Sequence, residues 1–243
     1  GYLVPISVGI QWFPNNRGLV TGVAVFGFGL GVMLWVKLAG SWGGMLETLG
    51  LSGTFLCYGL LIAAPVLLGS FWMRFPETTT GEIHTHGSSS TAPELGRLEM
   101  LRTGRFYAVF LTYTFSAAGG LLAMGLMKLY PLEALQGNGL DAGQASVVAG
   151  TAMAIFFSLA NAVGRLAWGG LSDRIGRRAA VICMCFGQSV ALVLFPMLAG
   201  EPWSLYLGAA LIGFHFGGNF ALFPALTADT FGPASIGQNY PLV

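Results

Sequence analysis

Charge is what this sequence has least of. Asp, Glu, Lys and Arg make up 9% of 243 residues, against roughly 25% in an average soluble domain. A water-facing surface cannot be built from so few, which excludes a soluble enzyme. With 54% hydrophobic residues, the chain is equally far from the composition of a disordered linker. The charges nearly cancel, 11 Lys and Arg against 10 Asp and Glu, so no basic field exists to hold nucleic acid. Cysteine is sparse too. Cys57, Cys183 and Cys185 lie in apolar runs, and an odd set points to buried free thiols rather than a disulfide framework. There is no Gly-x-x-x-x-Gly-Lys loop to cradle a nucleotide phosphate. The 37 glycines follow no Gly-X-Y period, which excludes collagen. His84 and His86 stand as a His-x-His pair without further ligands; they read as a solvated loop, and neither metal nor cofactor is expected. The chain begins at Gly1 without a signal peptide and stops at Val243, as expected of an internal piece of a longer chain.

Apolar residues and glycine are abundant instead. Mean hydropathy is +0.70, and high glycine with low charge is the composition of closely packed membrane helices. A bilayer core about 30 Å thick needs roughly 20 apolar residues of helix. Six stretches meet that length: 18–39, 52–73, 106–127, 145–168, 179–199 and 204–226. Residues 1–11 read as the end of an earlier span and 238–243 as the approach to another. Alternating spans sort the connectors into two sets. One set holds Arg17, Arg74, Arg97, Arg102, Arg105, Arg174, Arg177 and Arg178; the other holds Lys37 and Lys128. The excess of cations places the arginine-bearing connectors in the cytoplasm. Trp35 and Tyr130 beside the two lysines read with them as interfacial anchors. The connectors at 40–51, 128–144 and 200–203 are short. The long one, 74–105, carries Thr78 to Thr80 and Gly87 to Thr91, a flexible polar linker. It divides the chain into 1–73, the end of one helical half, and 106–243, a truncated second half.

The chain also resembles itself. Shifted by 219 residues, Leu3 falls on Leu222, Pro5 on Pro224, Pro14 on Pro233 and Gly18 on Gly237, with Trp12 on Phe231. Six spans separate the copies, and an even number preserves orientation. This predicts a parallel duplication with a six-span unit, as in transporters built of two halves.

Two motifs carry a resemblance. Gly169-Gly170-Leu171-Ser172-Asp173-Arg174-Ile175-Gly176-Arg177-Arg178 resembles the loop signature of the major facilitator superfamily. Its glycines are expected to turn the chain tightly between two membrane helices, Asp173 to face the positive N-terminus of a neighbouring helix, and its arginines to anchor the loop in the cytoplasm and pair with acids there. Trp12-Phe13-Pro14-Asn15-Asn16-Arg17-Gly18, followed by Gly22, is similar to a connector of the oxalate/formate antiporter-like carriers, relatives of the monocarboxylate transporters. The run Gly217 to Asp229 with Phe231-Gly232 and Gly237 to Tyr240 is similar to the same group. The resemblance implies an all-α membrane bundle of that superfamily, partial, from about the fourth span to the start of the eleventh of twelve.

Arg165 is the expected substrate contact. A charge inside a span is costly and usually faces a cavity or a partner. Asn161 and Ser158 precede it by four and seven residues, so all three share a helical face. Such a stripe can hold a small carboxylate, with Arg165 offering a bidentate fork. The bland alternative is that Arg165 snorkels to the cytoplasmic surface. Related monocarboxylate carriers have Asp-x-x-x-Arg at what looks like this position; Asn161 in place of the Asp carries anion binding across, but not proton coupling. His215 and Asn219 form another polar i, i+4 pair, candidate substrate contacts, with a hydrogen-bonded packing role as the alternative for the histidine. Tyr107, Thr112, Tyr113, Thr114 and Ser116 add polar groups in the 106–127 span, of which Tyr113 is taken as a candidate substrate contact. Gly169, Asp173, Arg174, Gly176, Arg177 and Arg178 are the expected gating elements. Together these imply a secondary active transporter moving a mono- or dicarboxylate by alternating access, driven by counter-substrate or ion gradients and working as a monomer. The alternatives are a proton-linked monocarboxylate symporter and, from another class, a multi-span receptor. An intramembrane enzyme finds no paired aspartates, metal cluster or Ser/His arrangement to support it.

Overall fold

The computed structural model describes residues 3–40, 42–71, 73–74 and 94–243. His84, His86 and the Thr- and Ser-rich stretch around them lie outside the described residues. The described chain is helical throughout, with no strand. α1 (Leu3–Trp12) leads through a four-residue turn into α2 (Arg17–Ala39), and α3 (Met45–Ser70) returns. After α4 (Arg97–Leu101) come α5 (Gly104–Leu126), α6 (Leu129–Gly137) and α7 (Ala142–Thr151). A π-helical turn (Ala152–Phe157) joins α7 to α8 (Ser158–Ile175), and α9 (Arg177–Leu198), α10 (Pro202–Phe231) and the short α11 (Ile236–Asn239) follow. Among the described residues, five helical rods are long and apolar enough to cross a membrane: α3, α5, the continuous 142–175 rod, α9 and α10. At 23 residues, α2 reaches about 35 Å, the length of the sixth expected span.

Local chemistry sets the boundaries. Thr103 and Asp141 cap α5 and α7 by accepting from Phe106 N and Gln144 N, at 3.3 and 2.9 Å. Pro202 opens α10 at its first turn, where the missing N–H costs nothing. Three sequence expectations need correction. The 128–144 connector is not plain loop: it folds α6, whose Pro131 and Leu135 are buried and whose end is held by Asn138 Nδ2 donating to Gly200 O at 2.9 Å. The signature glycines do not all turn the chain, because Gly169 and Gly170 are inside α8 and only Gly176 (φ 88°) makes the reversal. The cysteines are free but not buried; Cys183 is exposed and the other two are half-buried.

Those outer faces are apolar. Phe115 is 75% and Met197 80% exposed, as side chains facing hydrocarbon are, since such helices already satisfy their own backbone hydrogen bonds. Inside, glycines set the spacing. A Cβ on Gly164 would lie 2.0 Å from Phe214 O, one on Gly213 2.3 Å from Phe157 O, and one on Gly217 2.2 Å from Asn161 O, so α8 and α10 touch backbone to backbone. The same holds between α2 and α8: a Cβ on Gly22 would meet Arg165 O at 2.4 Å, and one on Gly169 would meet Gly18 O at 2.3 Å. The repeat is visible as well. α1 ends at Trp12 and α2 begins at Arg17; shifted by 219, these positions are Phe231 and Ile236, where α10 ends and α11 begins.

Candidate functional site

Arg165 stands on α8 ten residues before its end and is 2% exposed, so it does not snorkel to the surface. Its Nε donates to Asn161 Oδ1 at 3.0 Å, one turn back, and its Nη1 donates to Val25 O of α2 at 2.9 Å. The guanidinium carbon lies 4.4 Å from the centre of the Phe220 ring and 5.2 Å from that of Phe28. Both rings are placed for cation–π attraction. Gly22 makes this possible, because its missing Cβ lets α2 approach the backbone of Arg165.

These residues form the floor of a cavity of about 530 Å³. Ser158 and Asn161 line it beside Arg165, so the predicted stripe does face one space. Phe28, Phe157, Phe216 and Phe220 supply apolar walls, and Lys128 stands among the lining residues at the other end of the helices. The π-helical turn sits directly above the stripe, and Ser158 Oγ donates to Met153 O, five residues back, at 3.1 Å. That extra residue per turn re-aims α7 relative to α8. One expectation changes here. Lys128 lines the cavity rather than serving only as an interfacial anchor, and the sequence reading missed it because the lysine falls at a span boundary.

The other candidates are placed elsewhere. Asn219 is fully buried but turned away from the cavity; its Oδ1 accepts from Ser116 Oγ at 2.7 Å and its Nδ2 donates to Gln188 Oε1 at 3.3 Å. Gln188 Nε2 donates to Ser116 O at 2.7 Å, so the group ties α5, α9 and α10 together. His215 packs between helices, 5.6 Å from the Trp168 ring and against Gly187, where a Cβ would strike its Nε2. Phe216 and Phe220, not His215 and Asn219, are the α10 residues that face the cavity. Tyr113, partly buried, packs its ring at a tilt against Phe223, centroids 4.7 Å apart. Thr112 and Ser116 line a separate cleft of about 250 Å³ with Gln188 and Ser189, while Tyr107 and Thr114 are exposed on α5.

At the arginine-bearing end the helices are drawn together. Asp173 accepts from Gly18 N at 3.0 Å and Leu19 N at 2.8 Å, placing its carboxylate on the positive N-terminus of α2. Arg177 Nη1 lies 2.6 Å from Asp173 Oδ1, and its Nε lies 2.7 Å from Asp229 Oδ2. Asp229 in turn pairs with Arg17 Nη1 at 2.8 Å. Two arginines and two aspartates thus link α2, α8, α9 and α10. Arg17 and Asp229 were the partners not foreseen. Arg174 and Arg178 are exposed and make no ion pair among the described residues.

The family model of the Major Facilitator Superfamily matches residues 5–242. The chain is similar to the "Oxalate:formate antiporter" of Oxalobacter formigenes, 29% identical over 243 residues, covering 98% of this chain and 54% of that protein. It is also similar to the "Uncharacterized MFS-type transporter YhjX" of Escherichia coli, 27% identical over 246 residues and covering 57% of it. A third relative is "Apicoplast pyruvate carrier 1" of Toxoplasma gondii, 25% identical over 299 residues and 53% covered. The chain spans about half the length of the curated relatives it matches.

Proposed function

The chain belongs to the major facilitator superfamily and is a multi-pass membrane protein; on that premise we propose that it is the central part of a secondary active transporter for a small carboxylate. The observation that carries this reading is Arg165, buried at the floor of a cavity large enough for a small organic anion. Burying a guanidinium at membrane depth costs at least about 2.5–3.5 kcal/mol on insertion scales, a cost that an anion in the cavity offsets. A carboxylate arriving there accepts charge-assisted hydrogen bonds from the fork.

The same contact supports coupling of binding to movement. Arg165 Nη1 holds Val25 O of α2 across the α2–α8 seam. An anion that takes this donor loosens the seam from within, while the Asp173 and Asp229 pairs hold it at the arginine-bearing end. With that end in the cytoplasm, the cavity opens outward and the four-residue network is the closed inner gate. Alternating access is then a shift between two packings of α2 on α8. Exchange of anions is favoured over proton symport, because no Asp or Glu lines the cavity among the described residues. Proton-linked monocarboxylate symport is the second reading, favoured by the similarity to a pyruvate carrier.

The test is uptake of labelled oxalate, formate and pyruvate into proteoliposomes. Arg165→Ala is expected to lower kcat/KM at least about 100-fold while insertion stays normal, a loss on the scale of a buried charged contact. Arg165→Lys restores little, since an ammonium lacks the planar fork. Unchanged uptake by Arg165→Ala removes the residue from the site.

A further inference from the structure

Lys128 is poorly placed for a structural role. It occupies the position before α6 with no capping hydrogen bond, where an acceptor side chain would help and a cation meets the positive end of the helix dipole. It is exposed, and no carboxylate lies within ion-pair distance of it among the described residues. Its backbone is nevertheless held firmly, since Met127 before it and Leu135 after it are fully buried in one apolar cluster. The ammonium therefore hangs from a rigid support over the cavity it lines.

Its surroundings give that charge a use. The connectors on this side carry Glu47, Glu133, Asp141 and Glu201 against Lys37 and Lys128, so an approaching anion meets a net negative rim. None of the four acids lines the cavity, whereas Lys128 does, and Arg165 waits at its floor. Between the two cations the wall is largely phenylalanine, leucine and methionine. A cleft with charge of one sign and low-dielectric walls focuses the field and raises the local concentration of counter-ions.

We propose that Lys128 is the recruiting cation of the cavity mouth: its field draws the anion past the acidic rim and towards Arg165. The proposal rests on the anion-carrier reading above. It acts from one side only, because the mouth lies at the end opposite the arginine-bearing gate.

The experiment uses the full-length protein in oriented proteoliposomes with labelled oxalate, formate and pyruvate as probes. Lys128→Gln is expected to raise KM about fivefold for anion offered at the Lys128 side in low salt, with kcat unchanged. The effect shrinks as salt rises to about 0.5 M, where the screening length falls to a few ångströms. KM from the arginine-bearing side stays constant, Lys128→Glu shifts KM further, and Lys128→Arg restores it. If a variant inserts poorly, Lys128→Cys modified after insertion by a cationic or an anionic methanethiosulfonate supplies the charge reversal on folded protein. Equal KM shifts from both sides, or no shift at low salt with active wild type, overturn the role of Lys128 alone. Wild type inactive towards all three anions overturns the carrier reading and this proposal with it.

Discussion

Arg165 and Asn219 are both buried polar residues on membrane helices, yet their hydrogen bonds assign them opposite work. Arg165 spends its donors on a neutral amide and on a carbonyl of the facing helix, beside an open cavity. Asn219 is closed in by Ser116, Gln188 and Phe216. Replacing Asn219 by Ala leaves those partners short of bonds in a water-free setting, at about 1–3 kcal/mol. Asn219→Ala is therefore expected to lower the melting temperature in detergent while leaving the KM of the proteoliposome assay unchanged. A shifted KM with unchanged melting would place Asn219 at the substrate instead. Both residues were legible in the sequence as intramembrane polar groups. Which face of α10 looks at the cavity was not, because its polar pair, His215 and Asn219, meets Trp168, Ser116 and Gln188 of neighbouring helices instead.

Between elements, the glycine contacts fall into two kinds with different consequences. Gly164, Gly213 and Gly217 hold α8 against α10, two helices that both follow the 74–105 connector. Gly18, Gly22 and Gly169 hold α2 against α8, across the seam that the proposed cycle opens. Gly164→Val is expected to destabilise the protein in every state, seen as loss of folded material in detergent. Gly169→Val instead obstructs only the packed seam, pushing a side chain into Gly18 O. It is expected to leave folding largely intact, to shift the population towards the state open at the arginine-bearing end, and to make cysteines introduced along the seam accessible to water-soluble thiol reagents from that side. Equal destabilisation by both variants would contradict a moving seam. A GxxxG spacing such as Gly18 to Gly22 is readable in a sequence; whether it faces a fixed neighbour or a mobile one is not.

Across the whole molecule, the cavity lies at the end of the helices opposite the ion-pair network, the arrangement that the proposed gating rests on. Asp173 is central to it, capping α2 through two backbone N–H groups and pairing with Arg177. Asp173→Asn keeps the shape and loses the charge; it is expected to slow turnover about tenfold, a coupling of the size that typically links two states, with little change in substrate affinity. A pure loss of affinity would remove Asp173 from the gate. A second carboxylate binds backbone N–H groups near α11, where Glu94 accepts from Ala234 N and Ser235 N at 3.1 and 3.2 Å. By itself the sequence determined most of the spans and the Arg165 face, because hydropathy and helical spacing act over neighbouring residues. Only the tertiary structure decided that Lys128 shares a cavity with Arg165 and that Arg17 meets Asp229. Those contacts join residues far apart along the chain, and in an all-apolar solvent no periodicity of the sequence records which helix lies opposite.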